Sequence, residues 1–381
     1  MKLGGKTIIA LAWVGFLAIV IGCGGGSTTG GTTSTTSTTS TTSTTSTTST
    51  TSTTSTTSTS ATTSTTSTSA TTSTTSTTST TGGSLPHDAI LYTITNGSVN
   101  FLKSIKADGT NNGQLASYTA GNITAAAPNP TKPNEFAFGS FNSSTNKFKL
   151  YKGNSALDPA NSTLLTATSF DLIEDVEFTP DGLYVIFLAD AGTGFKLYRV
   201  AVGGGSILAL DDAFEFSVSP VVGSHLIAYS KTSGAASEIF TFDYISGTSA
   251  PITSLGFDVF SPTFSRDGNK VLFVVSQVIG IDSDLYSVPT IGGSSTRVTN
   301  TPSLFKSMGF YNEDSSKIAA VMFNSSAVET IQVITNNGAT YTPLVVDDSL
   351  QPILYWTDSN GRSVSANIPH YQFGKHRRRG R

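Results

Sequence analysis

Cysteine is almost missing from this sequence: Cys23 is the single thiol in 381 residues. With no second cysteine, no internal disulfide can hold the fold, so stability has to come from a buried core. Charge is also sparse, at 12% of residues and a formal net charge of −3, which argues against a nucleic-acid partner. The chain has no G-x-S-x-G, no H-E-x-x-H and no glycine loop closed by Lys-Ser/Thr. Its four histidines, His87, His225, His370 and His376, are scattered rather than clustered as metal ligands would be. No cofactor is implied. The longest apolar stretch, Thr7 to Ile21, has 15 residues, short of the roughly 20 that a spanning helix needs.

What that stretch does form is an export signal. Lys2 and Lys6 precede it, and a small residue and then Cys23 follow it. Val20, Ile21, Gly22 and Cys23 resemble the lipobox of bacterial lipoproteins. The resemblance implies removal of residues 1–22 and lipidation of Cys23, which then anchors the chain to a membrane. Each buried acyl methylene contributes about 0.8 kcal/mol, so two or three chains hold firmly. Gly24 stands where an aspartate would resemble an inner-membrane retention signal, so the expected location is the cell envelope, at the outer membrane if there is one.

Residues 23–84 read as a tether. From 32 to 81 every residue is Thr or Ser except Ala61 and Ala70, and such a segment buries too little apolar surface to offset the entropy of folding. It would reach about 45 Å as a flexible coil and at most about 200 Å fully extended. Its composition resembles O-glycosylated stalks.

Residues 85–368 have the composition of a globular domain and repeat internally. Leu102, Leu150, Leu197, Ile239, Leu285 and Ile331 sit in equivalent apolar phrases separated by 48, 47, 42, 46 and 46 residues. A second apolar phrase, without clean alternation, precedes each: "AILYTI" at 89, "EFAFGS" at 135, "YVIFLAD" at 184, "LIAYS" at 226, "KVLFVVS" at 270 and "KIAAVMF" at 317. Strands without alternation are buried on both faces, and a period near 46 suits a four-stranded propeller blade. Turn phrases, "TPDG" at 179, "SRDG" at 265 and "EDSS" at 313, come ahead of them.

The stretches "FTPDGLYVIFLADAGTGFKLYRVAVGGG" and "PTFSRDGNKVLFVVSQVIGIDSDLYSVPTIGGSSTRVT" resemble the repeats of TolB-type β-propellers. The resemblance covers roughly residues 90 to 365 and implies an all-β fold of six four-stranded antiparallel blades. The repeats at 216 to 258 and 305 to 351 match more loosely. Full TolB proteins carry an α/β domain ahead of the propeller, where this chain has its tether. The first repeat lacks an innermost strand and the chain ends on "QPILYWTDSNGR", so the C-terminal strand is expected to close the ring.

Two sets of residues are candidates for function. Phe170-Asp171, Phe214-Glu215, Phe257-Asp258 and Phe305-Lys306 recur between blades at separations of 44, 43 and 48, which predicts either a rim for a protein or glycan partner or aromatic wedges between blades. The long loops "GSFNSSTNK" at 139 and "SQVIGIDSD" at 276 would contribute to the same rim. Glu174, Asp175 and Glu177 fall on one inner strand, where Asp175 and Glu177 are candidates for a metal and are otherwise expected as solvated carboxylates at the channel mouth. The basic tail 369–381, with Lys375, Arg377, Arg378, Arg379 and Arg381, is either a solvated tail or an anionic-surface adhesive. The expectation is a monomeric, lipid-anchored binding or scaffolding protein rather than an enzyme. A lyase or hydrolase using the channel carboxylates is the alternative, and a purely structural stalked lipoprotein is another.

Overall fold

The computed structural model describes residues 87–367 apart from 120–121, 133, 155, 279–281, 302–303, 324–327, 339, 347–349 and 358–362. The export signal, Cys23, the tether and the basic tail lie outside the described residues.

Six antiparallel sheets form the blades of a β-propeller. Blade 1 takes β1 (Ala89–Thr95), β2 (Val99–Lys106) and β3 (Gly113–Thr119), and blade 2 takes β4 (Ile123–Pro128), β5 (Phe136–Asn142), β6 (Lys147–Gly153) and β7 (Thr163–Leu164). Blade 3 follows with β8 (Leu172–Phe178), β9 (Tyr184–Asp190), β10 (Phe195–Ala201) and β11 (Leu208–Asp212). Blade 4 has β12 (Glu215–Val218), β13 (Leu226–Ser233), β14 (Ala236–Asp243) and β15 (Thr248–Pro251). Blade 5 is built from β16 (Asp258–Phe264), β17 (Lys270–Val278), β18 (Asp282–Pro289) and β19 (Thr296–Arg297). Blade 6 comprises β20 (Phe305–Tyr311), β21 (Lys317–Phe323), β22 (Glu329–Thr335) and β23 (Tyr341–Val346). Two strands remain, β24 (Leu350–Thr357) and β25 (Ser363–Asn367).

The ring closes through β24, which pairs with β1 as the innermost strand of blade 1. The Trp356 indole N–H donates to Asp88 at 2.9 Å, and the Thr357 hydroxyl accepts from the Ala89 amide at 2.9 Å. The first sheet has a fifth strand that the repeat pattern does not predict. β25 folds back along β24 and lies beside the innermost strands of blades 2 to 6, inside the ring.

The apolar phrases occupy the second and third strands. Leu150, Leu197, Ile239, Leu285 and Ile331 are all buried on the third strands, and in β9 every residue after Tyr184 is buried. Each such side chain contributes roughly 1.5–3 kcal/mol by leaving water. Successive blades share these residues as continuous apolar layers, as where Phe216 and Ile227 of blade 4 pack on Ile186 and Leu188 of blade 3.

The turns between first and second strands use one local device. Asp181, Asp267 and Asp314 each accept the backbone N–H two residues on, at 3.0, 3.1 and 2.9 Å. Gly182 and Gly268 supply the positive φ, and a Cβ on Gly182 would lie 2.5 Å from Thr131 in the preceding blade.

Candidate interaction faces

Innermost strands line a channel, and at one level five of the six depart from regular pairing. Register shifts fall between Ile123 and Ala125, Ile173 and Asp175, Phe260 and Thr263, and Lys306 and Met308, with a further one where β24 meets β1. A bulge turns backbone groups out of their own ladder, and here the neighbouring blade takes them up. The Thr124 hydroxyl donates to the Ile173 carbonyl at 2.5 Å, and Ser261 donates to the Ser307 carbonyl at 2.8 Å. Glu177 accepts the Val218 amide at 2.8 Å, and Glu215 accepts the Ser261 amide.

This placement corrects one expectation. Asp175 and Glu177 are buried, at 2% and 3% exposure, rather than solvated at a channel mouth. Asp175 accepts the Val176 amide at 2.7 Å, and Glu177 ties blade 3 to blade 4. Among the described residues no three His, Cys, Asp or Glu side chains are grouped to hold a metal ion. Burial pushes the Glu174 and Glu177 carboxyls well above the usual carboxylate range, with repulsion from Glu215 and Asp175 adding to the first and from Asp175 to the second. Glu215 belongs to this channel wall too, and burial raises it to about 7 against the Ser261 hydrogen bonds.

The recurring Phe-charge pairs do not form one uniform rim. Phe170 is fully buried against Phe187 and Tyr198, at ring distances of 5.5 and 5.3 Å. Phe305 is buried, stacked on Phe323 at 4.5 Å and on Phe260 at 6.4 Å. Phe214 is half-buried, and Phe257 alone is largely exposed, at 47%. Of the charges, Asp171 is exposed and pairs with Lys147, and Asp258 is half-buried, accepting the Ser237 amide at 3.3 Å. Lys306 has no exposure at all, and its ammonium lies 3.1 Å from Asp284. Phe170 and Phe305 are therefore wedges, and Lys306 is a core ion.

The opposite end of the propeller carries the turns between first and second strands and between third and fourth strands. There the chain exposes large apolar side chains: Leu183 (57%), Val222 (76%), Ile245 (54%) and Ile291 (96%), on the consecutive blades 3, 4 and 5. Sequence reasoning missed this turn face, although an apolar residue inside a Gly- and Asp-rich turn is its signal. Between blades 3 and 4 the surface is filled. The Arg199 guanidinium lies 4.7 Å from the Tyr184 ring centre and donates to the Tyr244 carbonyl at 2.5 Å, while His225 meets Tyr244 edge-on. Between blades 5 and 6 the equivalent surface is a cleft of about 660 Å³.

Solved structures with this architecture place the fold. A putative TolB from Agrobacterium tumefaciens aligns with 73% of this chain and 99% of its own, with TM-score 0.57 and 14% identity. The fold is that of a TolB-type β-propeller. TolB from Acinetobacter baumannii aligns over 76% of this chain and 66% of its own, with TM-score 0.53 and 16% identity. No protein-family model matches the sequence, and no curated protein does. At these identities the likeness to TolB is one of fold.

Proposed function

We propose that this chain is a lipid-anchored binding protein of the bacterial envelope, held at Cys23, spaced by its Ser/Thr tether, and docking a protein partner on the turn face of its propeller. The observation that carries this reading is the row of exposed apolar turns, Leu183, Val222, Ile245 and Ile291, bordered by the Arg199–Tyr184–Tyr244 stack. Large exposed apolar groups beside Arg and Tyr are what recognition surfaces favour, and they contribute little to folding where they stand. The lipobox-like sequence and the TolB-like fold support an envelope location. We read the channel carboxylates as ties between blades rather than as a catalytic pair, since Glu177 and Glu215 each hold a backbone N–H of the next blade.

The test is a combined Val222→Asp, Ile245→Asp and Ile291→Asp variant of the full chain, compared with the parent by cross-linking in native envelopes. Loss of a specific cross-linked partner with an unchanged melting temperature supports the reading, and an unchanged cross-linking pattern overturns it. For the anchor, Cys23→Ser abolishes acyl labelling, and persistent labelling would remove lipidation at that residue from the account.

A further inference from the structure

The turn face repeats with the blades, so its clefts can be compared position by position. Tyr244 in blade 4 donates its amide to the His225 carbonyl at 3.0 Å, and Asn336 in blade 6 donates to the Ser316 carbonyl at 2.9 Å, which makes the two pairs equivalent. On the facing blades, Arg199 pairs with Ile186 and Ser287 with Leu272, two residues beyond Tyr184 and Lys270 respectively. In the cleft between blades 3 and 4, Arg199 reaches across and fills the space. In the cleft between blades 5 and 6 a serine stands in place of that arginine, Lys270 in place of the tyrosine beneath it, and Asn336 in place of Tyr244. The result is the cavity of about 660 Å³, within the usual range for ligand sites.

Its lining defines a chemistry. Ser287, Thr296, Ser316 and Thr335 bring hydroxyls, Asn336 brings a carboxamide, and no carboxylate or aromatic ring is among the lining residues. Lys270 is exposed and has no ion-pair partner among the described residues. The Arg297 guanidinium in the wall shares the Asp284 carboxylate with the Lys306 ammonium. A nucleobase would want a stacking surface, and a phosphate dianion would want converging free cations or a nest of backbone N–H groups. One free ammonium amid hydroxyls and carboxamides suits a monoanion rich in hydroxyl groups.

We propose that the cleft between blades 5 and 6 binds an acidic carbohydrate, with a uronate carboxylate at Lys270 and the sugar hydroxyls on Ser287, Ser316, Thr335 and Asn336. This goes beyond the docking of a protein partner on the apolar turns, and either can fail alone. The experiment is calorimetric titration of the full-length chain in detergent with tetrameric galacturonate, mannuronate and hyaluronan fragments, against uncharged maltotetraose and inorganic phosphate. At least one uronate binds, and maltotetraose binds about ten-fold or more weakly, the scale of one charge-assisted hydrogen bond. Lys270→Ala lowers uronate affinity by about ten-fold or more while Lys270→Arg keeps most of it, and Ser287→Arg, which copies the filled cleft, abolishes binding. Lys270 is exposed, so its variants fold whether or not Ser287→Arg does. Absence of binding by all three uronates, equal binding of maltotetraose, phosphate binding as tight as uronate binding, or an unaffected Lys270→Ala variant would overturn the proposal.

Discussion

Lys306 is a fully buried cation, and the Asp284 carboxylate holds its ammonium at 3.1 Å. Asp284 receives the Lys306 ammonium, the Arg297 guanidinium and the Thr299 hydroxyl, while the Lys306 ammonium also donates to the Thr301 carbonyl at 2.6 Å. Removing one partner of a buried pair leaves the other uncompensated, so Asp284→Asn is expected to cost about 3–5 kcal/mol in denaturant unfolding. The aromatic positions divide in the same way. Phe170→Ala and Phe305→Ala each cost about 3–5 kcal/mol as buried truncations, and Phe257→Ala changes stability by less than about 0.5 kcal/mol. The period of these Phe residues is readable in the sequence, but their exposure is not. In blade 4 the Glu238 carboxylate accepts the Leu255 and Gly256 amides at 2.7 and 3.0 Å and fixes the loop on which Phe257 points outward. In blade 5 the equivalent acid, Asp284, is a methylene shorter and holds cations instead, and the following Phe305 is buried between Phe260 and Phe323. Glu215 brings a pH dependence. Its carboxyl, raised by burial to about 7 from an ordinary 4.5, binds its proton more tightly in the folded state. The stabilisation is full below the unfolded value and is lost as pH rises through about 7, so the melting temperature falls between pH 5 and pH 8. Glu215→Gln flattens that slope, and an unchanged slope would show that other groups set it.

At the level of elements, the second strands are legible because their central residues are buried on both faces and read as apolar runs, and the third strands because one buried Leu or Ile recurs in each. The turns are legible because Asp-Gly at 181–182 and 267–268 demands one geometry. β25 is not legible. "SVSAN" has none of the apolar phrase that marks the second and third strands, and its position comes from backbone pairing with β24 and from the channel left open by six inner strands. Nor does the sequence announce the bulges, which put backbone groups, not side-chain patterns, at the blade junctions. Removing residues 350–381 takes away β24 together with the Trp356–Asp88 and Thr357–Ala89 bonds, and exposes unpaired β1 backbone and the apolar cluster around Tyr92 and Phe310. Removing 368–381 touches none of these. The first truncation is therefore expected to lose the cooperative melting transition, and the second to keep it within about 2 °C, roughly the shift that 1 kcal/mol gives a domain of this size. Comparable melting of the two proteins would contradict closure by β24.

On the scale of the whole molecule, the two ends of the propeller differ in kind. One end carries the interblade connections, where two of the four recurring Phe residues are buried as wedges. The other carries tight turns that hold apolar side chains in solvent, over blades that the continuous apolar layers and the channel hydrogen bonds make rigid. Rigid elements that present exposed apolar and Arg–Tyr groups suit recognition without rearrangement. The fold class could be read from the period of the apolar strands, whereas the exposed turn face could not, because its apolar residues Leu183, Val222, Ile245 and Ile291 fall in different turns of blades 3, 4 and 5 and share no phrase. The most direct measurement is site-specific photo-cross-linking in native envelopes, with the probe placed in turn at Val222, at Ile291 and at Phe257 of the full chain. The account predicts a common cross-linked partner from Val222 and Ile291 and none from Phe257; a partner captured from Phe257 but from neither turn would contradict it.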